Sequence, residues 1–363
     1  MFHLASTGAH ALLRFNEGRD QIFVNASLSV GFDSNIFAND SAEGDIVTNT
    51  SLGLEYARRA GLITVNAHAD WNLGSFASNS DSDFANPSLG VEFIKNTGRT
   101  TGSVTLNTSR ESQADPNIGQ RTDSWNHNAG LNWKYPVIER YSFAGSFGYG
   151  LVDYTDNSAG LVDLDTYSAS LDLFYAYTSQ RDLVFGYRIR ESDTSSGNKS
   201  TDHSFTGGIS GKILAKLNGT VRAGYQIRQE GATGATYSSW TSTASTTWTV
   251  SKRLALTGTL TKDFSTTATE SSVDSLNFNL DAQYVLNSRW SLYSGVGAGY
   301  SDFLSGSDAG RKDHYFTWST GISYSMNDHF KASLTYSYFQ NWSNRANSTF
   351  DRNSITLNLS TRW

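Results

Sequence analysis

Cysteine is absent from the 363-residue sequence, there are only three prolines, and charged residues make up only 17% of the chain. The absence of cysteine excludes disulfides, cysteine-ligated zinc and thiol catalysis, and it suits a chain that passes through an oxidising periplasm. No stretch approaches the roughly 20 apolar residues of a membrane-spanning helix, which excludes a helical membrane protein. The net charge is −6 and there is no basic run, which argues against a nucleic-acid partner.

Aromatic residues, by contrast, are abundant, with 9 Trp, 18 Tyr and 20 Phe. Hydrophobic residues amount to 38%, less than the roughly 45–50% of a soluble globular domain. A low apolar content with a small net charge is also found in disordered chains, but those are poor in aromatic residues. The sequence therefore predicts an ordered structure built from a largely polar chain.

Apolar and polar residues alternate along most of the chain. Between residues 24 and 33 the even positions are Val, Ala, Leu, Val and Phe, and the odd positions are Asn, Ser, Ser, Gly and Asp. This period of two predicts strands with one apolar face. Such segments recur about every 20 residues, and the predicted strands begin near residues 21, 45, 62, 84, 100, 122, 141, 164, 182, 201, 219, 236, 254, 271, 289, 312, 330 and 349.

The connections between these segments alternate in length. One set is very short and rich in Arg, Lys or Asn, as at residues 57–61, 251–253 and 327–329. The other set is longer and rich in Gly, Ser, Asp and Asn, as at residues 38–44 and 304–312. Short turns at one end and longer loops at the other are typical of the up-and-down meander of outer-membrane barrels.

The apolar face of the strands is expected to point outward. A lumen between 18 strands is too wide for side chains to fill, so an inward apolar face would line an empty space. Aromatic residues also cluster at both strand ends, as in the interfacial belts of membrane barrels, although strands are enriched in aromatics generally. The belts are predicted to contain Tyr56, Phe93, Trp133, Tyr141, Trp248, Trp290, Phe330 and Trp363 near the turns, and Phe32, Trp71, Trp125, Phe205, Trp240, Tyr300 and Trp318 near the loops.

These patterns predict an all-β protein, a single closed antiparallel up-and-down transmembrane β-barrel of about 18 strands, with 16 as the alternative. The barrel is expected to comprise residues 21–363 and to contact the lipid and lipopolysaccharide of a bacterial outer membrane. Residues 1–20 are expected to form a periplasmic segment, in which residues 11–15 form a short helix or a pore lid. Because the longer loops have only about 5–10 residues and the inward positions are small and polar, the lumen is predicted to be wide, aqueous and largely unplugged.

Charged residues of the inward set are segregated by sign along the sequence. The inward acids lie on the second to fifth predicted strands, and the inward bases lie on the ninth to eleventh. Such walls would face each other and create a transverse field that orients dipolar solutes; alternatively, the charges point inward only because they cannot face lipid. The acidic wall comprises Glu55, Asp70, Glu92 and Glu111, and the basic wall comprises Arg188, Arg190, Lys212, Arg222 and Arg228.

Three inward aromatic residues, Tyr293, Tyr315 and Phe339, interrupt the small polar lining. Their rings could stack on sugars, or could pack against neighbouring lumenal side chains. His68 and Asp70 share the inward face, but such coincidences are expected in a Ser-rich barrel, and we predict no enzyme activity. We also predict no cofactor and no metal site, because the acids and histidines form no dense cluster.

The residues Gly31-Phe32-Asp33-Ser34-Asn35-Ile36-Phe37, followed by Gly44-Asp45-Ile46, resemble the opening hairpin of the putative beta-barrel porin family associated with exopolysaccharide export. The resemblance implies an outer-membrane protein of Gram-negative bacteria. Gly31, Asp33 and Asn35 stand at the family's motif positions. Their short polar side chains are expected to bond the backbone of the first loop.

The leading functional prediction is an outer-membrane pore that translocates a secreted polysaccharide, which follows from the resemblance and from the wide polar lumen. A separate periplasmic export partner would then gate it, since the sequence contains no long plugging loop and no helical-repeat domain. The alternatives are a general diffusion porin for small hydrophilic solutes and a structural or surface-interaction barrel.

Overall fold

The computed structural model describes residues 11–116, 118–155 and 160–363, and most of them lie in strands. The alternation of apolar and polar residues produces long antiparallel strands, because each face of a strand then meets a different solvent. In order, the strands are β1 Leu13–Phe15, β2 Asp20–Asp33, β3 Asp45–Ala60, β4 Ile63–Phe76, β5 Phe84–Lys95, β6 Thr101–Asp115, β7 Gln120–Ile138, β8 Tyr141–Tyr154, β9 Leu164–Thr178, β10 Arg181–Thr194, β11 Lys199–Leu214, β12 Leu217–Glu230, β13 Thr236–Thr249, β14 Leu254–Thr266, β15 Ser272–Val285, β16 Trp290–Phe303, β17 Lys312–Ser325, β18 Phe330–Ser343 and β19 Phe350–Arg362. Two single-turn 3-10 helices lie in loops, at Ser80–Ser82 and Gly306–Asp308.

Strands β2 to β19 form a closed barrel of 18 strands, which confirms the predicted fold and strand number. Every strand pairs antiparallel with its neighbours in the chain, and β19 pairs with β2, from Ser354 opposite Asp33 to Arg362 opposite Asn25. Each barrel strand begins within two residues of its predicted start. Closure matters in a membrane because an open sheet edge would leave backbone groups without hydrogen-bond partners in lipid.

The apolar residues lie on the outside of the barrel, as predicted. Leu52 is 56% exposed and Leu357 is 59% exposed, values that a water-soluble barrel would not tolerate over its whole circumference. Together with the two aromatic belts, these residues form the lipid-facing band of an outer-membrane barrel. No helix of the described residues is long and apolar enough to cross a membrane.

The N-terminal segment differs from its prediction. Residues 13–15 form the short strand β1, which pairs antiparallel with the start of β2, Phe15 lying opposite Asp20. The predicted helix over residues 11–15 is therefore wrong, because the chain turns at residues 16–19 and pairs with the strand that follows. Residues 1–10 lie outside the described residues, and the lid remains a prediction.

Strands β13 and β14 separate at one end. The ladder between β13 and β14 runs from Thr249 opposite Ala255 to Ser242 opposite Lys262 and ends there. Beyond this point β14 continues to pair with β15 up to Thr266, and β13 continues to pair with β12 down to Thr236. Residues 263–266 thus separate from β13 while they stay paired with β15, near the end that carries the longer loops.

Candidate functional site in the lumen

The displaced end of β14 lies on the lumenal side of the wall, where inward-facing arginines from β10 and β12 hold it. The Arg190 guanidinium donates to the Phe264 carbonyl and the Arg228 guanidinium donates to the Ser265 carbonyl at 2.6 Å. Arg188 and Arg190 both reach the Asp263 carboxylate, at 2.7 and 3.1 Å. Because β10 and β14 are four strands apart in the barrel, these bonds hold the end of β14 inside the lumen, against the inner faces of β10 and β12.

Asp202 on β11 completes this arrangement. Its carboxylate accepts from Arg228 Nε at 2.6 Å and Nη2 at 2.8 Å, and from Arg190 at 2.6 Å. Arg228 and Asp202 are both almost completely buried, so each depends on the other for compensation of its charge. We call Arg188, Arg190, Asp202, Arg228 and Asp263 the constriction cluster.

The extracellular loops also meet above the lumen. The Arg311 guanidinium, between β16 and β17, donates to the Pro116 carbonyl at 3.3 Å, at the far side of the barrel. Asn39 in the first loop donates to the Gly119 carbonyl at 2.8 Å, and the backbone N–H of Val162 donates to the Ala268 carbonyl at 2.9 Å. The predicted largely unplugged lumen is therefore wrong at this end, because a strand end and several short loops, rather than one long loop, reduce the opening.

The arginines of the predicted basic wall are paired with aspartates. Besides the constriction cluster, Arg222 forms a bidentate pair with Asp172 on β9, at 2.7 and 3.0 Å. Four arginines therefore face three aspartates, which neutralises most of the predicted positive field. Arg228 is 0% exposed, so its prediction as a pore-lining residue is wrong, since the end of β14 covers it. Lys212 lies near the turn at the other end of β11.

The acidic wall is less compensated. Glu55 bonds Arg362 at 2.6 Å and Asn25 at 2.6 Å. No lysine or arginine of the described residues lies within 4 Å of the carboxylates of Asp70, Glu92 or Glu111. Asp70 has His68 at 4.0 Å. The acidic and basic walls contain similar numbers of charges, but the arginines of the basic wall are paired with opposite charges and most of the acidic side chains are not.

The three inward aromatic residues lie flat on the wall rather than projecting into the lumen. The Tyr293 ring covers Gly321 and the Tyr315 ring covers Gly299, positions where a Cβ atom would collide with the ring. Tyr315 and Phe339 stack with ring centroids 6.0 Å apart, and Phe339 continues the stack to Phe350 at 5.5 Å. The rings pack on the wall and still present one face to the lumen.

The motif residues organise the first loop. Asp33 accepts from the backbone N–H of Asn35 at 3.0 Å and forms an ion pair with Arg352 of β19. Asn35, which is fully buried, donates to the Asn39 carbonyl at 2.6 Å. A Cβ atom on Gly31 would lie 2.8 Å from a backbone carbonyl oxygen of β19, so the close approach of the two strands requires glycine here. Through these contacts Asp33 and Asn35 hold the first loop in place.

Four residues that neutralise the predicted wall residues were not predicted from the sequence: Asp172, Asp202, Asp263 and Arg362. The first three occupy inward positions by the same alternation that identified the arginines, so the signal was available on β9, β11 and β14. Within the ranges that the structure describes, no three His, Asp or Glu side chains are grouped so as to hold a metal ion.

Residues 199–363 match the family model described as putative beta-barrel porin 2. This is the C-terminal part of the barrel, whereas the sequence resemblance rested on the opening hairpin. No curated protein sequence matches the chain.

Solved outer-membrane structures share the architecture. Pseudomonas aeruginosa OpdK with vanillate aligns with a TM-score of 0.53 at 10% identity, covering 94% of this chain and 99% of that one. P. aeruginosa OccK2 (OpdF) aligns at 0.53 with 9% identity, covering 94% and 97%. Acinetobacter baumannii OccAB2 aligns at 0.52 with 9% identity, covering 95% and 98%. At such identities the likeness shows the fold alone.

The family match, the barrel fold and the lipid-facing band together make the chain a porin-like β-barrel of the bacterial outer membrane. The predicted family resemblance and location are thereby confirmed.

Proposed function

We propose that the barrel is a passive channel for small hydrophilic solutes and that the constriction cluster selects among them. The observation that carries the proposal is the displaced end of β14, which Arg188, Arg190 and Arg228 hold inside the lumen. A charged, hydrogen-bonded constriction of this kind excludes solutes by size and by charge. The combination of a polar lumen with a narrowed extracellular end suits small solutes better than a bulky polymer.

Two arginines are placed to contact a passing solute. The side chains of Arg188 and Arg222 are 32% and 19% exposed, and their partners Asp263 and Asp172 leave part of each guanidinium facing water. Arginine binds carboxylates well because its planar donors match both oxygens. Small carboxylates are therefore the solutes we favour, and OpdK, which shares the fold, has been solved with vanillate.

Ion selectivity in planar bilayers tests this proposal. The double variant Arg188→Glu/Arg222→Glu should shift the reversal potential in a salt gradient towards cation selectivity, because it replaces two positive charges in the lumen by negative ones. Arg140→Glu, in the exposed turn between β7 and β8, is the matched control and should shift the potential much less. Unchanged selectivity in the double variant, or no conductance in the unaltered protein, would contradict the proposal.

Translocation of a secreted polysaccharide is the second candidate function, and the pair of inner-wall rings Tyr315 and Phe339 favours it. Flat aromatic faces on the inner wall can stack on successive sugar rings. Passage of a polymer would need the constriction to open, and a periplasmic partner could supply that step. The remaining alternative is a barrel that only binds partners at its surface, and the short loops argue against it.

Current block distinguishes the two candidates in the same bilayers. A polysaccharide channel should be blocked by neutral oligosaccharides with a residence time that grows with chain length and falls in Tyr315→Ala/Phe339→Ala. A small-solute channel should pass monosaccharides and show no such dependence on chain length.

A further inference from the structure

The departure of β14 from the wall leaves a defined seam. On one side are β13 residues 236–241, and on the other are β14 residues 263–266, which have no ladder between them. We call this pair of segments the seam. The β13–β14 ladder joins eight residue pairs, as does the β5–β6 ladder, whereas the adjacent β12–β13 and β14–β15 ladders each join thirteen. Unpaired backbone is costly in hydrocarbon, so a persistent seam calls for a physical explanation.

A buried ion pair between β14 and β15 lies at the point where β14 separates from β13. Lys262 is the last β14 residue opposite β13, and its side chain is completely buried against the carboxylate of Asp274 on β15. The ammonium also lies 5.8 Å from the Trp240 ring and 5.1 Å from the Tyr300 ring. By strand alternation Lys262 and Asp274 occupy lipid-side positions near the aromatic belt at the loop end.

Side chains rather than backbone close the wall here. The Ser239 hydroxyl of β13 donates to the Asp274 carboxylate at 2.9 Å, bypassing β14 altogether. Slightly nearer the rim, the Tyr237 hydroxyl donates to the Leu304 carbonyl at 3.2 Å. Two side-chain bonds of this kind are each worth only about 1 kcal/mol, whereas a ladder closes many backbone bonds cooperatively. The seam is therefore held by weaker bonds than a continuous ladder would supply.

The seam connects two different environments. Trp240 and Tyr300 belong to the aromatic belt near the loops, so the outer side of the seam lies at the outer-leaflet interface. On the lumenal side, the displaced end of β14 carries Asp263 with Arg188 and Arg190. A molecule that crosses the seam would leave a cationic, hydrated site and enter an aromatic, lipid-facing one.

We propose that the seam is a lateral passage between the lumen and the outer leaflet for small amphiphiles that combine an anionic group with an apolar body. The anionic group contacts the arginines of the lumen, while the apolar body passes between Trp240 and Tyr300. The Lys262–Asp274 ion pair and the hydrogen bonds of Ser239 and Tyr237 close the seam, and they break while the molecule passes. The proposal rests on the lumen being a channel, so transport of a hydrophilic solute is measured alongside.

A reversible disulfide tests the passage, and the lack of native cysteine makes it specific. In Ser239→Cys/Asp274→Cys/Lys262→Met, the new cysteines lie on the two strands that the Ser239–Asp274 bond joins, and the lysine is removed with its partner so that no charge stays buried alone. The matched control is Ser337→Cys/Ser354→Cys, whose hydroxyls lie 2.6 Å apart across the intact β18–β19 ladder. The probe is 8-anilino-1-naphthalenesulfonate, added to cells whose outer leaflet is lipopolysaccharide, with arabinose uptake as the hydrophilic comparison.

Oxidation should reduce probe uptake through the seam variant at least tenfold and leave arabinose uptake unchanged, and reduction should restore probe uptake. The control pair should show no effect of oxidation on either solute. Equal probe uptake in the oxidised and reduced states would overturn the lateral passage. Parallel loss of probe and arabinose uptake would also overturn it, because the disulfide would then be blocking the lumen. If neither solute enters in any state, the channel itself is in question rather than the seam alone.

Tyr237→Phe provides a second measurement that does not depend on introduced cysteines. It removes the bond to the Leu304 carbonyl and should raise probe uptake several-fold at unchanged arabinose uptake. No increase would contradict the role of this bond in closing the seam.

Discussion

Two joints in the barrel wall differ in how their strands are held together. At the joint between β2 and β19, strands from opposite ends of the chain are brought together, and the ladder is extended by bonds from Ser34 to Asn353 at one end and from Val24 to Trp363 at the other. At the seam, β13 and β14 are consecutive in the chain and joined by a short turn, yet they separate at the end away from that turn. Closeness in sequence thus does not decide where the wall is continuous.

Electrostatics explains the difference. At the β2–β19 joint, the ion pair of Asp33 with Arg352 lies within the joint and holds the two strands together. At the seam, the charges of β14 pair with residues of other strands, Asp263 with β10 and Lys262 with β15. Ion pairs that are satisfied within a joint reinforce it, and ion pairs that are satisfied elsewhere draw the strand away.

The largest effect is expected where the displaced strand is held. Asp202→Ala removes the carboxylate that compensates both Arg190 and Arg228, and leaving a buried guanidinium unpaired costs about 3–5 kcal/mol. The free energy of unfolding, measured by tryptophan fluorescence in denaturant, should fall by that amount. Glu111→Gln is the matched control, an inward acid without an ion-pair partner among the described residues, and should change the free energy of unfolding by less than about 0.5 kcal/mol. Equal stability of the two variants would show that the constriction cluster does not hold β14.

Strand alternation made most of the fold predictable. On strands such as β2 and β19, each residue's face follows from its own position, because lipid lies on one side and water on the other. The strand starts were therefore accurate, and the motif role of Asn35 followed from the chemistry of a short amide in a loop. These features depend on local sequence alone.

The constriction cluster could not be predicted in the same way. Arg190 and Asp263 are four strands apart, and their contact exists only because β14 leaves the wall, which strand alternation does not describe. The sequence did contain a sign of this departure, since Lys262 and Asp274 both fall on lipid-facing positions where an isolated charge is costly.

A smaller effect is expected at the β2–β19 joint. Asp33→Ala removes the ion pair to Arg352 and the bond from the backbone N–H of Asn35. The Arg352 side chain is 36% exposed, so water replaces part of what is lost, and we expect a destabilisation of about 1–2 kcal/mol. A double-mutant cycle with Arg352→Ala should give a coupling energy of roughly 1 kcal/mol or less. A coupling as large as the effect of Asp202→Ala would remove the contrast between the two joints.

The smallest change in stability is expected at the opposite end of the same joint, where Glu55 of β3 reaches over β2 to Arg362 of β19. Both side chains are 38% exposed, and such pairs contribute about 0–1 kcal/mol. Glu55→Gln should therefore leave unfolding almost unchanged, but it leaves the Arg362 charge uncompensated beside the lumen and should shift the reversal potential slightly towards anions. Arg362→Gln should shift it towards cations by a similar amount. Shifts of the same sign in both variants would mean that this pair does not face the ion pathway.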